Sequence, residues 1–190
     1  MDRILILDNY DSFTYNLVHY VNDITDLELD VFRNDEISIE DVNKYSIIIL
    51  SPGPGLPKDA GILNDVIKEY FATKKILGVC LGMQAIGEVF GGDLKNLSKV
   101  FHGVATELEV VKTDDLLFDN LPNKFKVGRY HSWIVDEDNL SKDIIVTSRD
   151  ENKQIMSIKH KDYNVYGVQF HPESILTEFG KEIIKNFLEI

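Results

Sequence analysis

Lys75-Ile76-Leu77-Gly78-Val79-Cys80-Leu81-Gly82-Met83-Gln84-Ala85 runs from a short apolar stretch, through a cysteine with glycines close on either side, into a helix-forming stretch. A short apolar run that turns at once into a helix reads as a buried strand of an alternating strand–helix fold. The turn presents Cys80. Glycines at 78 and 82 leave room for a tight elbow, and the helix aims its N-terminal N–H groups and positive dipole end at the sulfur, which favours a thiolate. A lone cysteine is also commonly an inert buried thiol, so this stretch alone admits both readings.

Toward the N-terminus the same alternation repeats. Ile4 to Leu7 reads as a buried strand ending at Asp8; Phe13, Leu17 and Val21 share a helix face; Leu27, Leu29 and Val31 alternate as a strand. Ser38 with Asp41 resembles a capping box ahead of the strand Ile47 to Leu50, and Leu63, Val66, Ile67, Tyr70 and Phe71 mark an amphipathic helix. This order predicts an open, mostly parallel sheet with helices on both faces, with ligands at the carboxyl ends of the strands. Asp8, Gly53 and Cys80 each fall at or just past such an end, on one rim.

Toward the C-terminus the character changes. Thr106 to Val111, Lys126 to Tyr130, Ile144 to Ser148, Gln154 to Ile158 and Val165 to Phe170 are short strands between polar turns, expected as antiparallel additions to the sheet. A last helix carries Phe179, Ile183, Ile184, Phe187 and Leu188 on one face. With no linker, repeat or low-complexity tract, residues 1–190 read as one domain.

Two further segments carry chemistry. In Val165-Tyr166-Gly167-Val168-Gln169-Phe170-His171-Pro172-Glu173-Ser174, an extended backbone would send His171 and Glu173 to the same side, as base and orienter. In Ile47-Ile48-Ile49-Leu50-Ser51-Pro52-Gly53-Pro54-Gly55-Leu56-Pro57, a buried strand leads into a rigid turn with free glycine N–H groups, and these with the Leu81 amide can form an oxyanion hole. Each segment alone also fits a plain loop or surface turn.

Taken together, the Pro-Gly-Pro-Gly, Gly-Val-Cys-Leu-Gly and Gln-Phe-His-Pro-Glu blocks resemble, in order and spacing, the signatures of the class I (triad) glutamine amidotransferases. Asp8-Asn9-Tyr10-Asp11-Ser12-Phe13-Thr14-Tyr15-Asn16-Leu17, Val100-Phe101-His102-Gly103 and Arg129-Tyr130-His131-Ser132-Trp133 are similar to segments of the glutaminase subunits of anthranilate synthase and aminodeoxychorismate synthase. The resemblance covers the whole chain and implies a flavodoxin-like amidotransferase fold. It implies a triad of Cys80, His171 and Glu173. Gly53, Pro54, Gly55 and Leu81 would surround the oxyanion, and Gln84, Ser132 and Trp133 would hold L-glutamine.

It also implies a partner. Ammonia released to solvent becomes ammonium, and this chain has no room for a synthase domain, so a separate chorismate-binding anthranilate synthase component I is expected, with Tyr10, Asp11, Ser12, His102 and Gly103 at the contact. No cofactor is expected in this chain, and Mg²⁺ is expected in the partner. The product is anthranilate, aminodeoxychorismate or both; the differing alternatives are a non-catalytic synthase-binding module and a peptidase or glutamyl hydrolase using the same triad. Met83 departs from the histidine usual in this branch and is expected to pack under the elbow.

Composition agrees with that class. A net charge of −12 and pI near 4.8 argue against a nucleic-acid partner. No apolar stretch approaches the ~20 residues a membrane crossing needs, no leader pattern opens the chain, and the single cysteine suits a reducing compartment, so a cytoplasmic protein is expected. His19 and His160 read as surface or packing residues and His131 as near the site; the five histidines form no metal-ligand pattern. Asp114-Asp115 and Asp136-Glu137-Asp138 read as solvated loops.

Overall fold

A computed structural model describes residues 2–190. Five strands form its parallel part: β1 (Arg3–Asp8), β2 (Glu28–Arg33), β3 (Ile47–Leu50), β4 (Lys75–Val79) and β11 (Val165–Val168). Four more extend the sheet antiparallel, namely β6 (Val104–Val110), β7 (Lys124–Arg129), β9 (Ile144–Asp150) and β10 (Ile155–His160), giving the order β2-β1-β3-β4-β11-β10-β9-β6-β7. The mostly parallel core with antiparallel additions is as the sequence predicts, with one correction. Strand β11 is not an antiparallel addition; it lies parallel to β4 at the sheet's centre and antiparallel only to β10.

Alternation along each strand assigns the two faces. Ile4, Ile6, Ile47, Ile49, Leu77, Val79, Tyr166 and Val168 point to one side, where α1 (Thr14–Ile24) adds Leu17 and Val21 and α5 (Gly180–Glu189) adds Ile183, Ile184 and Phe187. Leu5, Leu7, Ile48, Leu50, Ile76 and Val165 point to the other, covered by α2 (Ile39–Val42), α3 (Leu63–Tyr70) and α4 (Leu81–Val89). Continuous apolar runs are therefore what a strand covered on both faces requires. The Ser38 cap forms as expected, its Oγ accepting the Asp41 amide at 3.1 Å. Phe13 and Phe71 sit at helix boundaries rather than inside helices.

A separate two-stranded sheet pairs β5 (Asp93–Asn96) with β8 (Trp133–Asp136), and sequence reasoning missed it. Asp93-Leu94-Lys95-Asn96 offers one apolar residue in four, too little alternation to register as a strand. Asp115 also departs from expectation. It is 2% exposed, its carboxylate caps the turn at Leu117 (3.1 Å), and burial raises its pKa, so it is not a solvated loop residue.

Candidate active site

Cys80 stands between β4 and α4 at φ 53°, ψ −100°, a conformation that costs an L-residue on the order of 1–3 kcal/mol. Its surroundings leave it no other. The Cys80 amide donates to Val168 O at 2.8 Å and its carbonyl accepts from the Gln84 amide at 3.0 Å. A Cβ on Gly78 would lie 2.4 Å from the Gly82 backbone, and one on Gly82 would lie 2.6 Å from Leu50 O, so both glycines are needed for α4 to descend onto the sheet. Met83 is fully buried against Gly167, under the elbow as expected.

His171 and Glu173 meet, though not through an extended backbone. β11 ends at Val168, and residues 171–174 form a turn closed by the Ser174 amide on His171 O at 3.2 Å, which brings His171 Nδ1 within 2.7 Å of Glu173 Oε1. Gly128 O accepts the His171 amide at 3.0 Å and the Thr177 hydroxyl donates to His171 O at 2.6 Å. Burial alone would lower the imidazole's pKa. Hydrogen bonds with Cys80 and Glu173, and their charges, reverse that and push it up to about 10. Nδ1 is committed to Glu173, so the ring meets Cys80 through Nε2, which makes no well-aligned hydrogen bond in the resting site. Catalytic bonds of this kind commonly align only once substrate is bound. Phe13 and Tyr130 pack on the ring with centroids at 5.5 and 4.8 Å, which links the Asp8–Phe13 loop to the histidine.

A cavity of about 270 Å³ opens beside the sulfur, bordered by Gly53, Pro54, Gly55, Gln84, Ser132 and Trp133. The amides of Gly53, Gly55 and Leu81 have no partner among the described residues, and Leu81, first in its helix, has none to find within it. Asn9 holds the glycine turn in place: its amide and side chain bond Ser51 Oγ and O at 2.8 Å each, and a Cβ on Gly53 would strike Asn9 at 2.5 Å. Opposite, Leu97 donates to Ser132 O at 2.7 Å and Gln84 Nε2 to Trp133 O at 2.9 Å, so the unforeseen β5–β8 sheet fixes this wall.

Behind the wall lies Arg129, fully buried and not singled out in the sequence. It donates to Asp150 (2.7 Å), Gln154 (2.8 Å) and His131 Nε2 (3.0 Å), with its guanidinium 3.6 Å from the Phe101 ring centre. His131 Nδ1 then donates to Trp133 O at 3.0 Å, and burial and the Arg129 charge push its pKa down to about 3. His131 is a neutral strut. A buried arginine invites a search for a carboxylate partner; Asp150, in a polar strand end, is the weak signal that was available. His160 packs among Phe71, Phe90 and Tyr163, and His19 is exposed.

The residues expected at a partner contact are placed as follows. Tyr10 is half exposed at φ 63°, its hydroxyl on Asp35 at 2.8 Å; Asp11 accepts the Phe13 amide at 2.7 Å; Ser12 is exposed. His102 reaches the cavity mouth and Gly103 turns at φ 71° beside Tyr130. Ile175, 96% exposed and next to the Ser174 that bonds Tyr130, belongs to the same rim and was overlooked because one isoleucine after a turn carries no pattern. Among the described residues no group of three or more His, Cys, Asp or Glu is placed to hold a metal, and no helix is long and apolar enough to cross a membrane.

The family model for class-I glutamine amidotransferases matches residues 5–190. The chain belongs to this family. This amidotransferase is 44% identical over 98% of its length to the aminodeoxychorismate/anthranilate synthase component 2 of Bacillus subtilis, of which it covers 95%. It is 46% identical over 97% to the anthranilate synthase component 2 of Lactococcus lactis, of which it covers 93%. The bifunctional protein TrpGD of Thermotoga maritima is 44% identical over the whole chain, which spans about a third (32%) of that longer protein. Among solved structures, a GMP synthase subunit of Thermoplasma acidophilum superposes with TM-score 0.88 at 24% identity, covering 100% of this amidotransferase and 93% of that chain, which establishes a shared fold.

Proposed function

We propose that this glutamine-hydrolysing amidotransferase is the glutaminase subunit of an anthranilate synthase, passing ammonia to a separate chorismate-binding subunit. One observation carries the chemistry: the Cys80 sulfur, the His171–Glu173 pair and the free amides of Gly53, Gly55 and Leu81 converge on one cavity. The Cys80 thiolate attacks the side-chain carbonyl carbon of glutamine, whose oxygen takes the negative charge and is held by those amides. The imidazolium of His171 gives its Nε2 proton to the departing nitrogen. The C–N bond breaks, ammonia leaves, and a glutamyl thioester remains. Neutral His171 then takes a proton from water, which attacks the thioester; the thiolate leaves with glutamate as product. Glu173 steadies the imidazolium through Nδ1. Gln84, Ser132 and Trp133 bind the amino-acid end of the substrate, and Pro54 stiffens the oxyanion turn.

The synthase partner docks on the rim formed by Tyr10, Asp11, Ser12, His102 and Gly103, and Mg²⁺ serves the partner's chemistry. The protein works in the cytoplasm. Aminodeoxychorismate is a second candidate product, because the B. subtilis relative carries both names.

The test mixes purified chain, the chorismate-binding subunit from the same source, Mg²⁺, chorismate and glutamine, and follows anthranilate fluorescence. Signal lost in Cys80→Ser and restored by ammonium salts supports the reading. Ammonia-dependent but never glutamine-dependent synthesis would instead indicate a non-catalytic module or a different synthase partner.

A further inference from the structure

Gln169 is fully buried one residue beyond β11, its main-chain amide bonded to Met156 O at 2.8 Å. Its side chain reaches both ways: Nε2 lies 3.6 Å from Cys80 Sγ, and Oε1 lies 3.3 Å from Gln84 Nε2. The direction of these bonds is set from the far end of the chain of contacts. The carbonyl of Trp133 can only accept, and it takes Gln84 Nε2 at 2.9 Å and His131 Nδ1 at 3.0 Å. His131 cannot reverse, because Arg129, which can only donate, occupies its Nε2 at 3.0 Å. Gln84 therefore turns its NH₂ toward Trp133 and Gln169. Gln169 must meet that NH₂ with its carbonyl, and its own NH₂ is left facing the sulfur. Reversing either amide would set donor against donor or acceptor against acceptor.

We propose that Gln169 is a catalytic residue, donating a side-chain hydrogen bond to Cys80 Sγ that stabilises the thiolate when it attacks glutamine and again when it leaves the thioester. This rests on Cys80 being the nucleophile. A thiolate accepts strongly where a thiol accepts weakly, so the bond acts selectively on the reactive form. It comes from the side opposite in role to His171: the histidine exchanges a proton with the reaction, whereas the amide keeps its own.

The experiment is alkylation of Cys80 by chloroacetamide across pH 5–10 in the full-length chain, read by mass spectrometry, for wild type, Gln169→Met and Gln169→Glu. At pH 7 we expect the methionine variant to react about fivefold more slowly, the worth of one hydrogen bond, and the glutamate variant more slowly still because a carboxylate then faces the thiolate. All three rates should converge near pH 10, where loss of the donor no longer limits ionisation; a packing defect would not produce convergence. In parallel, the Gln169 side-chain amide of ¹⁵N-glutamine-labelled wild type should shift when Cys80 is alkylated, a result that stands even if both variants misfold. Wild-type rate and pH profile in Gln169→Met, or an unresponsive amide, would overturn the proposal. A wild-type Cys80 inert at every pH would instead overturn the nucleophile itself, and the proposal with it.

Discussion

Gly78 shows how little tolerance surrounds the nucleophile. A methyl group there meets the Gly82 backbone at 2.4 Å, and backbone cannot yield as a side-chain tip can. Gly78→Ala should therefore lower stability by about 2–3 kcal/mol or more and reduce Cys80 reactivity together, measured by urea unfolding and by alkylation of the same sample. Arg129 poses a different test. Removing it strands the Asp150 carboxylate in the interior, so Arg129→Met should cost about 3–5 kcal/mol, while pairing it with Asp150→Leu should recover most of that stability. The double variant should still bind glutamine poorly. His131 would no longer be held by a donor on Nε2, and Trp133 O would lose its fixed partner, so the expected outcome is a raised KM for glutamine in steady-state assays of a well-folded protein.

At the scale of elements, the His-Pro-Glu turn depends on the start of α5. A Cβ on Gly180 would fall 1.9 Å from Pro172 O, between the two residues that must stay hydrogen-bonded. Gly180→Ala should depress kcat far more than a surface helix substitution would, with thermal unfolding reporting the accompanying loss of stability. The early strands and helices were readable in the sequence because burial on both faces leaves long apolar runs such as Ile47 to Leu50, and helices on a sheet keep a three-to-four-residue period. What was not readable depended on partners distant in sequence. Nothing in Val165 to Val168 states that it inserts parallel beside β4; that is decided when β10 turns back beside it. β5 becomes a strand only through pairing with β8. His171 and Glu173 were identified as a pair, yet their turn is imposed by Gly128, Thr177 and α5 rather than by the alternation first expected. Gln169 was quoted within its motif without a role, since the direction of an amide is a property of the network around it.

For the whole molecule, the two histidines of the site pull stability in opposite directions with pH. His171, raised to about 10, contributes stability that is fully present below its unfolded pKa near 6.5 and is lost as pH rises through 10. His131, lowered to about 3, contributes stability present above its unfolded pKa and lost as pH falls toward 3. Unfolding free energy should therefore pass through a maximum near neutrality. Glu173→Gln should flatten the alkaline limb, His131→Asn should flatten the acid limb, and urea titrations at a series of pH values distinguish the two. An alkaline limb unchanged by Glu173→Gln would show that another group governs it.

The central place of β11 bears on how the protein is made. A ribosome releases Cys80 ninety-one residues ahead of His171, and until β11 arrives, β4 has an open edge on the side where its last neighbour belongs. The sheet's two sides, one formed early and one late, are joined only by the strand that also carries the base toward the sulfur. Closure of the fold and the birth of catalytic competence are thus the same event, and a nascent chain stalled before that strand would bear its cysteine without being able to spend glutamine.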